Sequence, residues 1–282
     1  MTLVVGYPPD GRRRAVLHLG GMLARSRGED LVLCTVIPAA WPPSPARVDA
    51  EYRAHLEGEA GAVLERAAER VGEGVETSTV VQHARSVPAG LLELASQREA
   101  SVLVVGAVGS TANRLLHSAH LPLAVAPRGF RAAADARVAR VTAAFGGSDD
   151  DLVVQAGLVA AQVGATLRIA SFAVLPRAPY TVAVGREADE AAVAEWVADI
   201  QSAQREALDR VHEQAAVPAD CEAVVGRGED WEEALDDIEW GPGDVLAVGS
   251  SSVGPVARVF VGSRSEKIVR HSPVPVVVVP RG

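Results

Sequence analysis

The chain has 282 residues, 48% hydrophobic and 22% charged, which is enough for two domains with separate cores and too apolar for disorder. Its net charge of −9 is uneven: residues 1–137 carry 15 basic and 14 acidic side chains, residues 138–282 carry 12 and 22. The acidic second half argues against a nucleic-acid surface, and no apolar run reaches the roughly 20 residues of a membrane helix. Pro8 and Pro9 interrupt any leader-like core, so the cytoplasm is the expected compartment. In chain order, short β-branched runs alternate with longer Ala/Leu/Glu/Arg stretches. Strands are predicted at Leu3–Tyr7, Leu31–Ile37, Thr77–Val81, Val102–Gly106 and Leu121–Ala126. Helices fall between them, over Arg12–Arg27, Arg47–Val71, Ser86–Arg98 and Thr111–Ser118. The second half repeats the order. Its strands are Arg140–Phe145, Thr166–Val174, Cys221–Val225, Val245–Gly249 and Val274–Val279, and its helices Asp149–Val163, Asp189–Ala215, Asp230–Ile238 and Arg264–His271.

Strands that alternate with helices in this way form parallel sheets, because parallel neighbours need a crossover connection. The duplication also holds residue by residue. Gly109-Ser110 and Gly262-Ser263 each open a helix that leads, at the same spacing, into a Pro-preceded apolar strand. Both strands end in Pro-Arg-Gly, at Pro127-Arg128-Gly129 and Pro280-Arg281-Gly282, and both copies carry a proline-rich loop after the second strand. Two domains are therefore expected, 1–129 and 138–282, joined by the Ala-rich linker Phe130–Arg137.

In an open parallel sheet, ligands sit beyond the carboxyl ends of the strands where the order reverses. The second copy has a glycine- and serine-rich segment there, Gly249-Ser250-Ser251-Ser252-Val253-Gly254-Pro255, then Arg258, then Gly262-Ser263-Arg264. Glycines let backbone approach an anion, serines add hydroxyl donors, and the following helix offers free N–H groups. The residues Ser263-Arg264-Ser265-Glu266 also spell an S-x-x-E capping box, which requires no ligand.

The run Val245-Leu246-Ala247-Val248-Gly249, then Gly262-Ser263, then Ile268-Val269-Arg270-His271-Ser272-Pro273-Val274-Pro275-Val276-Val277-Val278 closely resembles the C-terminal half of the universal stress protein domain. The whole chain is similar to the tandem, two-domain form of that family. The resemblance implies two five-stranded Rossmann-like sheets of order 3-2-1-4-5, paired through their last strands as an internal pseudo-dimer, with a homodimer as the further assembly. It also implies a stress-linked regulator without a catalytic reaction, and in part of the family it implies binding of ATP or AMP.

The family's nucleotide motif is Gly, two residues, Gly, nine residues, Gly, then Ser or Thr. In the second copy this maps onto Gly249, Ser252, Gly262 and Ser263, so the second glycine is a serine, with Gly254 two residues on. The aspartate that nucleotide-binding members carry after the first strand falls at Gly146. The candidate phosphate-binding set is thus Gly249, Ser250, Ser252, Gly254, Gly262, Ser263 and Arg264, with Arg264 adding charge-assisted bonds. No protein ligand for a metal is evident. In the first copy Gly106 is followed by Gly109-Ser110 after only two residues, and Pro8 takes the aspartate position. That copy is expected to bind no nucleotide and to serve as a folding and dimerising partner.

Other residues carry plainer readings. Arg12-Arg13-Arg14 form a solvated helix start in preference to an anion grip, since the helix dipole disfavours cations there. Asp149-Asp150-Asp151 take a capping role. Cys34 and Cys221 are core or near-core residues, without a CxxC or His partner for a metal. The histidines show no HxxxH spacing, and no serine sits in a G-x-S-x-G elbow. Trp231 and Trp240 bracket an acidic helix that packs Leu235 and Ile238 inward. Two alternatives stay open: a scaffold of the same fold that binds no nucleotide, and an ATP-using enzyme, for which no catalytic acid, base or nucleophile stands out.

Overall fold

A computed structural model of the chain describes residues 1–38, 46–107, 109–147, 150–175, 186–214, 221–250 and 263–280. The first repeat runs β1 (Thr2–Gly6), α1 (Arg14–Arg27), β2 (Asp30–Pro38), α2 (Ala46–Ala68), β3 (Thr77–Ala84), α3 (Val87–Gln97), β4 (Val102–Gly106), α4 (Ser110–Leu116) and β5 (Leu123–Ala126). The second runs β6 (Arg140–Ala144), α5 (Asp150–Val163), β7 (Thr166–Val174), α6 (Arg186–Gln214), β8 (Cys221–Gly228), α7 (Trp231–Asp236), β9 (Asp244–Gly249), α8 (Ser263–His271) and β10 (Val276–Val279). The chain divides into two compact units. One holds Met1–Arg137 together with Ser250 and the strand residues from Val277 on; the other holds Val138–Gly249 and Ser263–Val276.

In the first repeat the strand order is β3-β2-β1-β4-β5, with the neighbours parallel, so β1 sits at the centre. In the second the order is β8-β7-β6-β9-β10, with β6 central and parallel to β7 and β9. Both are the expected order 3-2-1-4-5. The strands read as near-continuous apolar runs because helices cover both faces, and Leu3, Val4, Val5, Leu103, Val104, Leu246 and Val248 are buried. At roughly 25 cal/mol per Å² of apolar surface, this burial is the main term holding each sheet.

The duplication extends to single hydrogen bonds. The Tyr7 amide donates to the Cys34 carbonyl at 2.8 Å, and the Phe145 amide donates to the Ala170 carbonyl at 2.8 Å. Buried hydroxyls of the neighbouring strand close the same corner: Thr35 Oγ1 donates to the Tyr7 carbonyl at 2.8 Å, and Ser171 Oγ to the Phe145 carbonyl at 2.9 Å. Helix starts follow local chemistry. Ser86 caps α3 by accepting from the Ala89 amide, and Asp230 caps α7 by accepting from the Glu233 amide. Gly28 ends α1 in the left-handed conformation at φ 64°. No helix among the described residues is long and apolar enough to cross a membrane.

Candidate functional site

Because the strands run parallel, their carboxyl ends share one rim, and the chain leaves the central strand on opposite sides of the gap to its fourth strand. In the second repeat that gap is bounded by the end of β6 and the end of β9. β9 ends at Gly249, where, among the described residues, an added Cβ would meet Leu152 Cδ2 at 3.8 Å. The Gly249 carbonyl accepts from Ser265 Oγ at 3.0 Å, which ties the strand end to the first turn of α8.

Of the seven predicted phosphate-binding residues, the structure places four. Gly249 ends β9, and Ser263 and Arg264 open α8 with both side chains exposed. Ser250 is buried, and its amide donates to the Val279 carbonyl at 3.0 Å, so that N–H is committed to backbone. Ser252, Gly254 and Gly262 lie outside the described residues. Glu266 stands in the first turn of α8, where a carboxylate suits the positive end of the helix dipole. Gly146 and Gly147 follow β6 and are exposed, with Gly147 at φ 100°, a left-handed conformation that side chains rarely adopt. At the start of α5, Asp150 accepts from Arg210 Nε at 2.7 Å and Nη2 at 3.3 Å. The Asp149 end of that acidic run lies outside the described residues.

The first repeat closes the same region differently. Gly109, at φ 113°, directly precedes α4. The Arg13 guanidinium lies over this turn, with Nη1 and Nη2 3.9 Å from where a Cβ on Gly109 would sit. Cys34, on β2, is buried, and burial pushes its thiol up to about 12, so it is an inert core residue at neutral pH. Among the described residues no group of His, Cys, Asp and Glu gathers in a metal-binding arrangement.

A cluster at the amino end of the second sheet was not read from the sequence. Arg168 is 1% exposed in the middle of β7. Its Nε donates to Thr142 Oγ1 at 3.1 Å and its Nη1 to the Glu239 carbonyl at 2.8 Å, while its guanidinium lies 4.5 Å from the Trp240 ring centroid. Its Nη2 makes no hydrogen bond and lies 3.7 Å from Asp244 Oδ2. Asp244 also accepts from Arg140 at 3.1 and 2.7 Å. Burial lowers the Arg168 pKa, whereas the hydrogen bond with Asp244 raises that of Arg140. The arrangement is a buried ion pair with an aromatic lid. It braces the sheet at the end opposite the candidate site. The signal in the sequence was an arginine inside an otherwise apolar strand.

Comparison with known proteins agrees with this geometry. The profile of the universal stress protein family matches residues 1–127 and 139–280, one match per repeat. Universal stress proteins of Mycobacterium bovis and Mycobacterium tuberculosis are each 38% identical over 296 residues, covering 99% of this chain and 100% of the relative. The crystal structure of a universal stress protein from Archaeoglobus fulgidus superposes with a TM-score of 0.62 at 19% identity, over 99% of this chain and 98% of that one. With a match in each repeat and full-length relatives, the chain belongs to the universal stress protein family, in its tandem form.

Proposed function

We propose that this protein is a stress-response regulator that binds ATP or AMP at the carboxyl end of the second sheet. The observation that carries the reading is the interval between Gly249 and Ser263. The strand end at Gly249 is followed in sequence by a glycine- and serine-rich segment and then by a helix whose first residues, Ser263 and Arg264, are exposed. Backbone amides and hydroxyls would hold the phosphates, and Arg264 would add a charge-assisted fork. With Gly146 in place of a carboxylate, the site grips phosphates better than the adenosine end. The role is regulatory and not catalytic, exerted in the cytoplasm and as a homodimer.

The test is the nucleotide content of the purified full-length protein, with ATP and AMP titrations of the wild type, Gly262→Asp and Arg264→Glu. Near-stoichiometric adenine nucleotide that disappears in both variants is the expected result. A protein that is empty as purified and indifferent to millimolar ATP and AMP overturns the reading and leaves the scaffold of the same fold as the better account.

A further inference from the structure

The helices after the central strands, α1 and α5, are both 14 residues long, and each is followed by a left-handed glycine, Gly28 at φ 64° and Gly164 at φ 69°. Counting back from those glycines pairs His18 with Val154, Met22 with Leu158, Leu23 with Val159 and Arg25 with Ala161. The inner faces agree, since Val16 and Leu17 are buried and so are Leu152 and Val153. The outer faces do not. Met22 is 0% and Leu23 7% exposed, whereas Leu158 is 50% and Val159 38% exposed.

The chain after β5 accounts for the difference. Phe130 and Ala132 line one cavity with Ala15 and His18, near the start of α1. Farther on, Arg25 Nη1 donates to the Ala136 carbonyl at 3.1 Å, and Arg137 donates back to the Arg25 carbonyl. The segment thus runs along α1 from its first turns to its last, over the face on which His18, Met22 and Arg25 recur at helical spacing. On α5 the matching positions are Val154, Leu158 and Ala161, with no arginine to anchor a crossing segment.

Exposed Leu and Val side by side on one helix mark a surface for another molecule. The charge around them says which. No ionisable side chain occurs from Leu152 to Leu167, although residues 138–282 carry 22 acidic side chains against 12 basic. By contrast α6 exposes Glu195, Asp199, Glu206 and Asp209, and α7 exposes Glu232 and Glu233. Two copies brought together on those helices oppose like charges, and on α5 they do not. A lipid surface fits poorly, because a helix lying on a membrane draws on Lys and Arg, and α5 has none.

We propose that a second copy of this chain covers α5, through a two-fold contact in which the outer faces of the two α5 helices pack antiparallel about Leu158. This rests on the homodimer proposed above and assigns its surface. Leu158 stands near the middle of the uncharged run. An antiparallel pair therefore matches the run with itself and holds the two acidic starts, at Asp150 and Asp151, at opposite ends. Such a contact is isologous, each copy offering and receiving the same residues. Ala161, one turn on, leaves room for the partner's Leu158. The equivalent face of α1 is not available, since the segment after β5 already lies on it.

The experiment is sedimentation equilibrium of the full-length protein, wild type against Leu158→Arg. A dimer is expected for wild type, with its dissociation constant raised about tenfold or more in the variant. Urea midpoints show that both are folded. A wild type that is monomeric at high micromolar concentration overturns this surface together with the homodimer. A variant that dimerises as tightly as wild type overturns this surface and leaves the homodimer to other contacts. Mild oxidation gives a second reading that does not depend on weakened association. In a Cys221→Ser background, Leu158→Cys should join two copies through a disulfide, and Glu93→Cys, exposed on α3, should not. Absence of that link, or equal linking by Glu93→Cys, overturns the surface as well.

Discussion

The helices that follow the central strands, α1 and α5, have the same length and the same place in their sheets, yet they begin with opposite charge. Arg14 opens α1 behind Arg12 and Arg13, whereas Asp150 opens α5 with Asp151 beside it. The acidic start is the one that electrostatics favours. Asp150 is also held by Arg210 from α6. Below the rim the repeats keep the same corner, with Thr35 and Ser171 donating to the carbonyls of Tyr7 and Phe145. Duplication thus preserved the parts that fix the sheet and released the rim, where a change of charge costs little stability. The rims differ in their side chains: exposed Ser263 and Arg264 open α8 in one, and exposed Arg12, Arg13 and Arg14 stand at the start of α1 in the other.

The amino ends of the sheets differ as well, and here the difference reaches the core. Register places Thr2, Val32 and Ser101 of the first repeat where the second has Arg140, Arg168 and Asp244. In the first repeat Ser101 Oγ donates to Glu29 and to the Thr2 carbonyl, and Val32 is simply apolar. The largest effect is expected from breaking the second arrangement. Asp244→Ala leaves Arg168 buried and uncompensated and should cost roughly 3–5 kcal/mol in urea unfolding. Replacing the set with its counterpart, Arg140→Thr/Arg168→Val/Asp244→Ser, should restore most of that loss, because apolar packing substitutes well for a buried pair. A triple variant as unstable as Asp244→Ala would show that the cluster, and not the unpaired charge, sustains the sheet.

The next effect comes from the third strands. Gln82 of β3 corresponds to Gly226 of β8, where a Cβ would lie 2.1 Å from the Ala234 carbonyl oxygen of α7. Since α7 backbone must move to admit any side chain, Gly226→Gln should destabilise by about 3 kcal/mol or more, read from the thermal midpoint. A near-neutral variant would mean that α7 shifts easily against β8.

A smaller difference separates the second strands. Cys34 stands where the second repeat has Ala170, and both are buried. Burial lifts the thiol from 9.0 to about 12. The unfolded chain therefore ionises first, and stability present below about pH 9 is lost as pH rises toward 12. Wild type should lose about 1.4 kcal/mol by pH 10 relative to Cys34→Ala, measured as the difference in urea stability between pH 8 and 10. Equal losses in the two proteins would mean that the thiolate forms without unfolding.

The elements themselves were legible because β-branched runs and helical periodicity do not compete in this sequence. β4 and β7 carry the bounds their residues predict, Val102–Gly106 and Thr166–Val174. β3 and β8 extend further than their apolar runs, through Gln82-His83-Ala84 and Gly226-Arg227-Gly228, because ladder bonds to β2 and β7 continue past the point where the side chains turn polar. Leu235 and Ile238 pack inward as their spacing indicates. The end of β9 at Gly249 and the start of α8 at Ser263 were legible, because glycine at a strand end and serine at a helix start are local signals. Arg168 and Asp244 were not, since they are 76 positions apart and meet only through the β6–β7 and β6–β9 pairings. Arg12, Arg13 and Arg14 are exposed at the start of α1, as the solvated reading expects.

The smallest expected change in stability is also the most discriminating. Arg14→Asp gives α1 the residue with which α5 begins. Replacing a cation with a carboxylate there suits the dipole, so the variant should be more stable by roughly 0.3–1 kcal/mol. The reverse exchange, Asp150→Arg, should lower stability, because it places a cation at the start of α5 and removes the partner of Arg210. A loss of stability in Arg14→Asp would mean instead that Arg14 makes a contact that α1 needs. Urea midpoints of the two variants therefore separate the two accounts, since the dipole alone predicts opposite signs for the two exchanges.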